Sequence, residues 1–164
     1  MASDNLPAGF RLPLDTIADF RLYTFLDEPQ RTAEALPNWP RTHAAFPWVV
    51  GYSRFGDFFL QNPDAGKFLV VYPMRGGGSK GYDARDLTEF RETVLDTFDF
   101  HLFAFPTMAF VQEVIARVGP IPEQAVYIPT PYPMLGGSGE PSTYSAGDVW
   151  VFLDIVGQLL RQAS

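Results

Sequence analysis

The residues with the most chemical promise lie in one stretch, MRGGGSKGYD (74–83). Gly76, Gly78 and Gly81 stand at the spacing G-x-G-x-x-G, and Gly77, Ser79 and Gly81 at G-x-S-x-G. The first pattern serves a dinucleotide when it joins a strand to a helix inside a βαβ unit, because the helix N-terminus must then face the pyrophosphate. Here Pro73, Met74 and Arg75 precede the glycines, and the next helix pattern opens only at Asp86 and is followed by another helix. Gly76 and Gly81 also have the separation of a phosphate loop, but Tyr82 stands where a lysine must reach the phosphates. The second pattern would make Ser79 a nucleophile, served by His101 and by Asp96 or Asp99, on a strained turn at the top of a large parallel sheet. The chain is short for that architecture and its strand pattern is wrong. The stretch therefore reads as a glycine-rich loop without a catalytic role.

Other chemistry is equally thin. Cysteine is absent, so there is no thiolate for catalysis or metal binding and no disulfide. His43 and His101 are the only histidines and lie far apart in sequence, which leaves no ligand spacing for zinc or iron. No alternating Asp/Asn loop for calcium is present. Asp83, Asp86 and Glu89 cluster, but Asp86 and Glu89 fit a capping box at the start of a helix. His101, in FDFHLFAF, reads as a partly buried core histidine. No catalytic residue, cofactor or metal is expected, and the protein is not read as an enzyme.

The elements that surround these residues are legible from periodicity. A helix is expected from Asp15 as N-cap through TIADFRLYTFL, closed by Pro29, with Ile17, Phe20 and Phe25 on one side. ALPNWPRTHAAFPW then reads as a proline-rich connector anchored by Trp39 and Trp48. WVVGYS (48–53), DFFLQN (57–62) and KFLVVYP (67–73) read as a meander, the last two as antiparallel neighbours joined by a PDAG turn. Beyond the glycine loop, Leu87, Phe90, Val94 and Phe98 mark one buried helix face. A second helix is expected over 107–118 on Phe110, Val111, Val114, Ile115 and Val118, stopped by Gly119-Pro120. EQAVYIP offers a short strand, and TPYPMLGGSGEPSTYS a long loop that is either functional or packed on the surface. Ser145 and Asp148 form a capping-box-like pair before a last helix whose buried side is Val149, Phe152, Leu153, Val156, Leu159 and Leu160. Strands come first and helices after, which favours an α+β fold: an antiparallel β-meander sheet flanked by helices, in a single domain of 164 residues. Residues 1–44 are expected as an N-terminal helix and connector packed on an α+β domain over 45–164.

Composition narrows the class of function. A net charge of −7 repels phosphate backbones and attracts basic partners, so nucleic acid is excluded as the expected ligand. The start, MASDNLPAGFRLPLD, lacks the basic and apolar regions of a signal peptide, and no apolar run reaches the length of a membrane span. A soluble cytoplasmic protein is expected. Fifteen phenylalanines supply large rings for the core, with some left for interfaces.

WVVGYSRFGDFFLQNPDAGKFLVVYP, a capped helix containing LTEF, and YPMLGGSGEP ahead of a C-terminal helix together resemble the SUKH superfamily of bacterial immunity proteins. Within it the chain is most similar to the C-terminal domain of immunity proteins that neutralise DNase effectors of type VI secretion. The shared signals are the turn Ser53-Arg54-Phe55-Gly56-Asp57 after a strand and the Leu135-Gly136-Gly137 segment before the last helix. The resemblance covers residues 45–162, and the run Gly76 to Gly78 looks like an insertion. It implies an α+β fold and a non-enzymatic role, in which an acidic surface binds a cognate toxin with a basic nuclease domain and blocks its active site. The loop residues Asp57, Asp83, Tyr132, Glu140 and Tyr144 are the expected contacts, as carriers of charge and aromatic surface. An intracellular adaptor of the same fold, or a small hydrolase using Ser79, Lys80 and His101, are the alternatives.

Overall fold

The computed structural model describes residues 22–40 and 45–163. Five strands run as an antiparallel meander in the order β1 to β5: β1 (Tyr23–Arg31), β2 (Trp48–Ser53), β3 (Phe58–Asn62), β4 (Lys67–Tyr72) and β5 (Gly78–Asp83). Between β1 and β2 lies a short helix, α1 (Thr32–Ala35). Next come α2 (Leu87–Phe90, continuing as the π-helical Arg91–Leu95), α3 (Phe98–Ala104) and α4 (Met108–Val118). A separate hairpin of β6 (Ala125–Pro129) and β7 (Tyr144–Asp148) leads into the last helix, α5 (Val149–Ala163). The α+β class and the meander at its centre are as expected from the sequence.

Both faces of the central strands are buried, which is why they read as continuous apolar runs and not as alternations. In β3, Phe59 points to one core while Phe58 and Leu60 point to the other; in β4, Phe68, Val70 and Tyr72 alternate with Val71 in the same way. The first core is closed by α2, α3 and α4 through Phe90, Val94, Leu95, Phe100, Val111 and Val114. Phe90 stacks flat on Phe68 with ring centres 4.2 Å apart. The second core is closed by α5 through Val149, Phe152, Leu153 and Val156, with Leu36 and Trp39 of the connector. Trp39 lies edge-on to Phe58 and donates its indole N–H to the Leu153 carbonyl at 2.8 Å.

Helix starts follow their caps. The Asp86 carboxylate accepts from the Glu89 N–H, and Glu89 reaches back to the Arg85 N–H, each at 2.9 Å. Thr97 and Thr107 cap α3 and α4 through their hydroxyls. At α5 the cap is Asp148, whose carboxylate accepts from the Val151 N–H at 3.0 Å, while Ser145 sits in β7 opposite Ile128. The expected pairing of Ser145 with Asp148 is thus replaced by Asp148 alone.

Three expectations are corrected. Tyr23–Arg31 is a strand where a helix running from Asp15 to Leu26 was expected; Asp15, Ile17 and Phe20 lie outside the described residues. Pro29, the expected helix stop, sits on an outer strand, where a missing N–H costs no ladder bond. Phe98 does not continue α2 but opens α3, because the helix widens to a π turn, with the Asp96 N–H bonded to the Arg91 carbonyl, and ends there. The glycine stretch is no loop: after a short 3-10 turn (Pro73–Arg75) it becomes β5.

Candidate functional site

Ladder register separates the groups that a hydrolase would need to bring together. Ser79 pairs with Val71, whose side chain faces the core under α5, whereas Lys80 pairs with Val70, which faces the core under α2 to α4. His101 lies on the latter side, packed against Phe100 and Phe105. Ser79 and His101 therefore occupy opposite faces of the sheet, and the nucleophile and base of the alternative reading do not meet. His101 is a core residue as expected, and its Nε2 has no hydrogen-bond partner among the described residues. Burial lowers its pKa, against a hydrogen bond to the Leu95 backbone and the charge of Asp96. Beside it lies a small apolar cavity of about 130 Å³ lined by Leu22, Phe105, Met108 and Val111 among others. His43 is outside the described residues, and among those described no group of three or more His, Asp or Glu is placed to hold a metal.

Asp57 is where the expectation of an exposed contact fails. The turn 53–57 folds on itself: the Ser53 N–H donates to the Asp57 carbonyl, and the Ser53 hydroxyl donates to the Asp57 carboxylate while accepting the Asp57 N–H. Gly56 makes the reversal at φ +94°, and a Cβ there would strike the Phe152 ring at 2.5 Å. The result is a carboxyl only 7% exposed, unable to reach a partner. Burial pushes its pKa up to about 7, with the Ser53 hydrogen bond and the Arg75 charge pulling the other way. Nearby, burial, reinforced by Tyr82 and Asp57, raises the pKa of the Tyr72 hydroxyl.

The other expected contacts are scattered. Tyr144 is half-buried, its ring against Phe55 and Phe110, and so belongs to the first core. Tyr132 is half-buried edge-on to Phe152 at the second. Asp83 ends β5, exposed and paired with Lys67. Glu140 is exposed in the β6–β7 connection, where its carbonyl accepts from the Thr143 hydroxyl and N–H. Of the five, Asp83 and Glu140 alone present exposed charge, from different elements.

An acid-lined groove, not singled out from the sequence, lies at the other end of the sheet. Between the pairs Phe25↔Gly51 and Gln30↔Val49, residues 26–29 of β1 stand against the single residue Val50. The extra length bulges outward and carries Asp27 and Glu28. Glu123 and Gln124, from the turn before β6, form the opposite wall, and Thr24, Phe25 and Tyr52 complete a depression of about 290 Å³. None of Asp27, Glu28 and Glu123 is in an ion pair with a described residue. The guanidinium of Arg54 lies 5.9 Å from the groove-lining Tyr52 ring and donates to the carbonyls of Ala125 (3.2 Å) and of Pro122 (3.4 Å), beside Glu123. Three carboxylates thus gather along one shallow groove. On the wall opposite the bulge Gln124 has a φ of +65°, the one left-handed non-glycine conformation among the described residues. That backbone is held by the Tyr52 hydroxyl on its N–H (2.7 Å), the Val149 N–H on its carbonyl (2.8 Å) and the Trp150 indole on its side chain (3.1 Å).

No protein-family model matches the chain, and no curated protein matches it. Among solved structures the fold is similar to the crystal structure of Atu4351 from Agrobacterium tumefaciens. The TM-score is 0.58 at 14% identity, over 84% of this chain and 66% of that one. The likeness is one of fold. No described helix is long and apolar enough to cross a membrane.

Proposed function

We propose that this protein is an immunity protein that binds and neutralises a bacterial toxin, a nuclease effector of type VI secretion, by covering its active site with an acidic surface. The observation that carries the reading is the groove of Asp27, Glu28 and Glu123 beside the bulge of β1, three carboxylates that form no ion pair with a described residue. A nuclease must hold a phosphate backbone and so presents lysines and arginines at its active site. Those cations find complementary charge here, on a protein whose net charge of −7 also steers the encounter. The resemblance to SUKH immunity proteins supplies the class of partner, and a role inside the cytoplasm follows from it. No bond is made or broken by this chain in such a role.

The test is binding to the toxin domain encoded beside the gene, together with protection of a strain that expresses the toxin. Charge reversal of the groove, Asp27→Lys with Glu28→Lys and Glu123→Lys, is expected to weaken the complex at least about tenfold and abolish protection, since like charges across an interface cost several kcal/mol. Far-UV dichroism of the variant should match the parent, because all three side chains lie outside the cores. Undiminished protection by the reversed variant would sink the proposal.

A further inference from the structure

The glycine stretch that fails as a catalytic loop forms a sheet edge that no described strand pairs, and its geometry names what fits there. At the start of β5 the Gly77 N–H donates to the Tyr72 carbonyl at 3.1 Å, with Gly77 at φ +75°, a glycine bulge. At its end the Ala84 N–H donates to the Gly66 carbonyl at 3.1 Å. Hydrogen-bonded and non-bonded pairs alternate along an antiparallel ladder, so both ends point the N–H and C=O groups of Ser79, Gly81 and Asp83 away from β4. Gly78, Ser79, Lys80, Gly81 and Asp83 are all exposed. The opposite edge of the sheet is broken within its strand by the β1 bulge and Pro29, devices that discourage pairing, whereas the bulge at Gly77 precedes β5 and the run Gly78–Asp83 contains no proline. Gly81 is not demanded by the fold either, since a Cβ there would meet nothing closer than the Phe68 carbonyl at 3.8 Å. A glycine of that kind in an edge strand leaves room for another backbone.

We propose that two copies of this chain pair through β5, antiparallel and with Gly81 opposite Gly81, so that two five-stranded sheets join into one. Residues directly opposite must share a face, which leaves two well-overlapped symmetric registers centred on Lys80 or on Gly81. The first sets Lys80 against Lys80 and is opposed by like charge. The second sets Lys80 against Tyr82 of the other copy, repeating across the axis the cation-over-ring contact that the two make within the chain at 5.4 Å. It also sets Ser79 against Asp83, a hydroxyl facing a carboxylate that is well exposed beside Lys67. Each favourable pair occurs twice by symmetry. The same edge brings cover to an apolar patch on α3, where Leu102 is 64% and Phe103 52% exposed and Phe103 lies 5.8 Å from the Lys80 ammonium.

Sedimentation equilibrium or light scattering of the full chain at high micromolar concentration tests this. The expected mass is twice that of the chain. Gly81→Pro removes an outward N–H without touching the β4 ladder, and Ser79→Asp sets carboxylate against carboxylate; each is expected to return the chain to its single mass. The exchange Ser79→Asp with Asp83→Ser restores the pair in reverse and should recover the dimer, a result that a merely unfolded variant cannot give. A wild-type chain of single mass, including one that takes up an extended segment of another protein on β5, overturns the proposal. So does a dimer that survives both Gly81→Pro and Ser79→Asp.

Discussion

Asp57 carries a desolvation cost that its turn offsets only in part. An ordinary aspartate ionises at 3.8 and this one at about 7, so between those values the folded chain keeps a proton that the unfolded chain has released. The contribution of Asp57 is therefore most favourable below about pH 4 and is lost as pH rises to about 7. Asp57→Asn keeps an acceptor for the Ser53 hydroxyl and cannot ionise. Urea unfolding of this variant should show higher stability than the parent at pH 8, by the order of one to a few kcal/mol, with the advantage vanishing near pH 4. His101 acts with the opposite sign: its lowered pKa gives stability that is present above the ordinary histidine value and lost as pH falls toward the folded one. The Asn variant should therefore expose a stability that rises with pH through the histidine range, which the parent curve masks.

At the level of elements, Gly157 in α5 sets two effects against each other. Alanine in a helix interior is worth about 1 kcal/mol over glycine. Yet a Cβ at Gly157 would lie 2.7 Å from the Trp39 indole nitrogen and 3.0 Å from the Asn38 carbonyl, and that nitrogen is already bonded to Leu153. Backbone cannot yield as a side-chain tip can, so the overlap wins. Gly157→Ala is expected to destabilise by about 1–3 kcal/mol in thermal or urea unfolding. The same contact shows what sequence could and could not tell. Helix α5, with its buried stripe from Val149 to Val156, and strands β2 to β4 were legible because their residues are packed by the period of their own element. Strands β1 and β5 were not. YTFL has an apolar spacing that fits a helix until β2 pairs with it, and GSKGYD has no strand propensity and takes its conformation from the register of β4. Asp57 was misplaced for a related reason: a turn of the form SRFGD does not say whether its acid bonds inward to Ser53 or faces water. The acid groove was hidden because it joins Asp27 and Glu28, on the bulge, to Glu123, nearly a hundred residues on.

Considered whole, the molecule separates its surfaces. The groove lies beside β1 and the proposed pairing edge at β5, the two ends of one sheet, so a pair of chains joined at β5 would leave both grooves free. Charge acts at this scale as well. With a net charge of −7, association with the proposed partner, a basic toxin domain, should slow steeply with ionic strength, the on-rate falling about tenfold or more between low and physiological salt while dissociation changes little. Stopped-flow mixing across a salt series measures this, and a flat on-rate would contradict the electrostatic account of recognition. The contorted backbone of Gln124 ties these properties together. Because one residue lines the groove, donates its N–H to the phenol of the second strand and accepts from the first turn of α5, whatever presses into the depression also bears on the start of that helix. Occupancy at the rim is thereby expected to steady the first turn of a helix that begins at Val149.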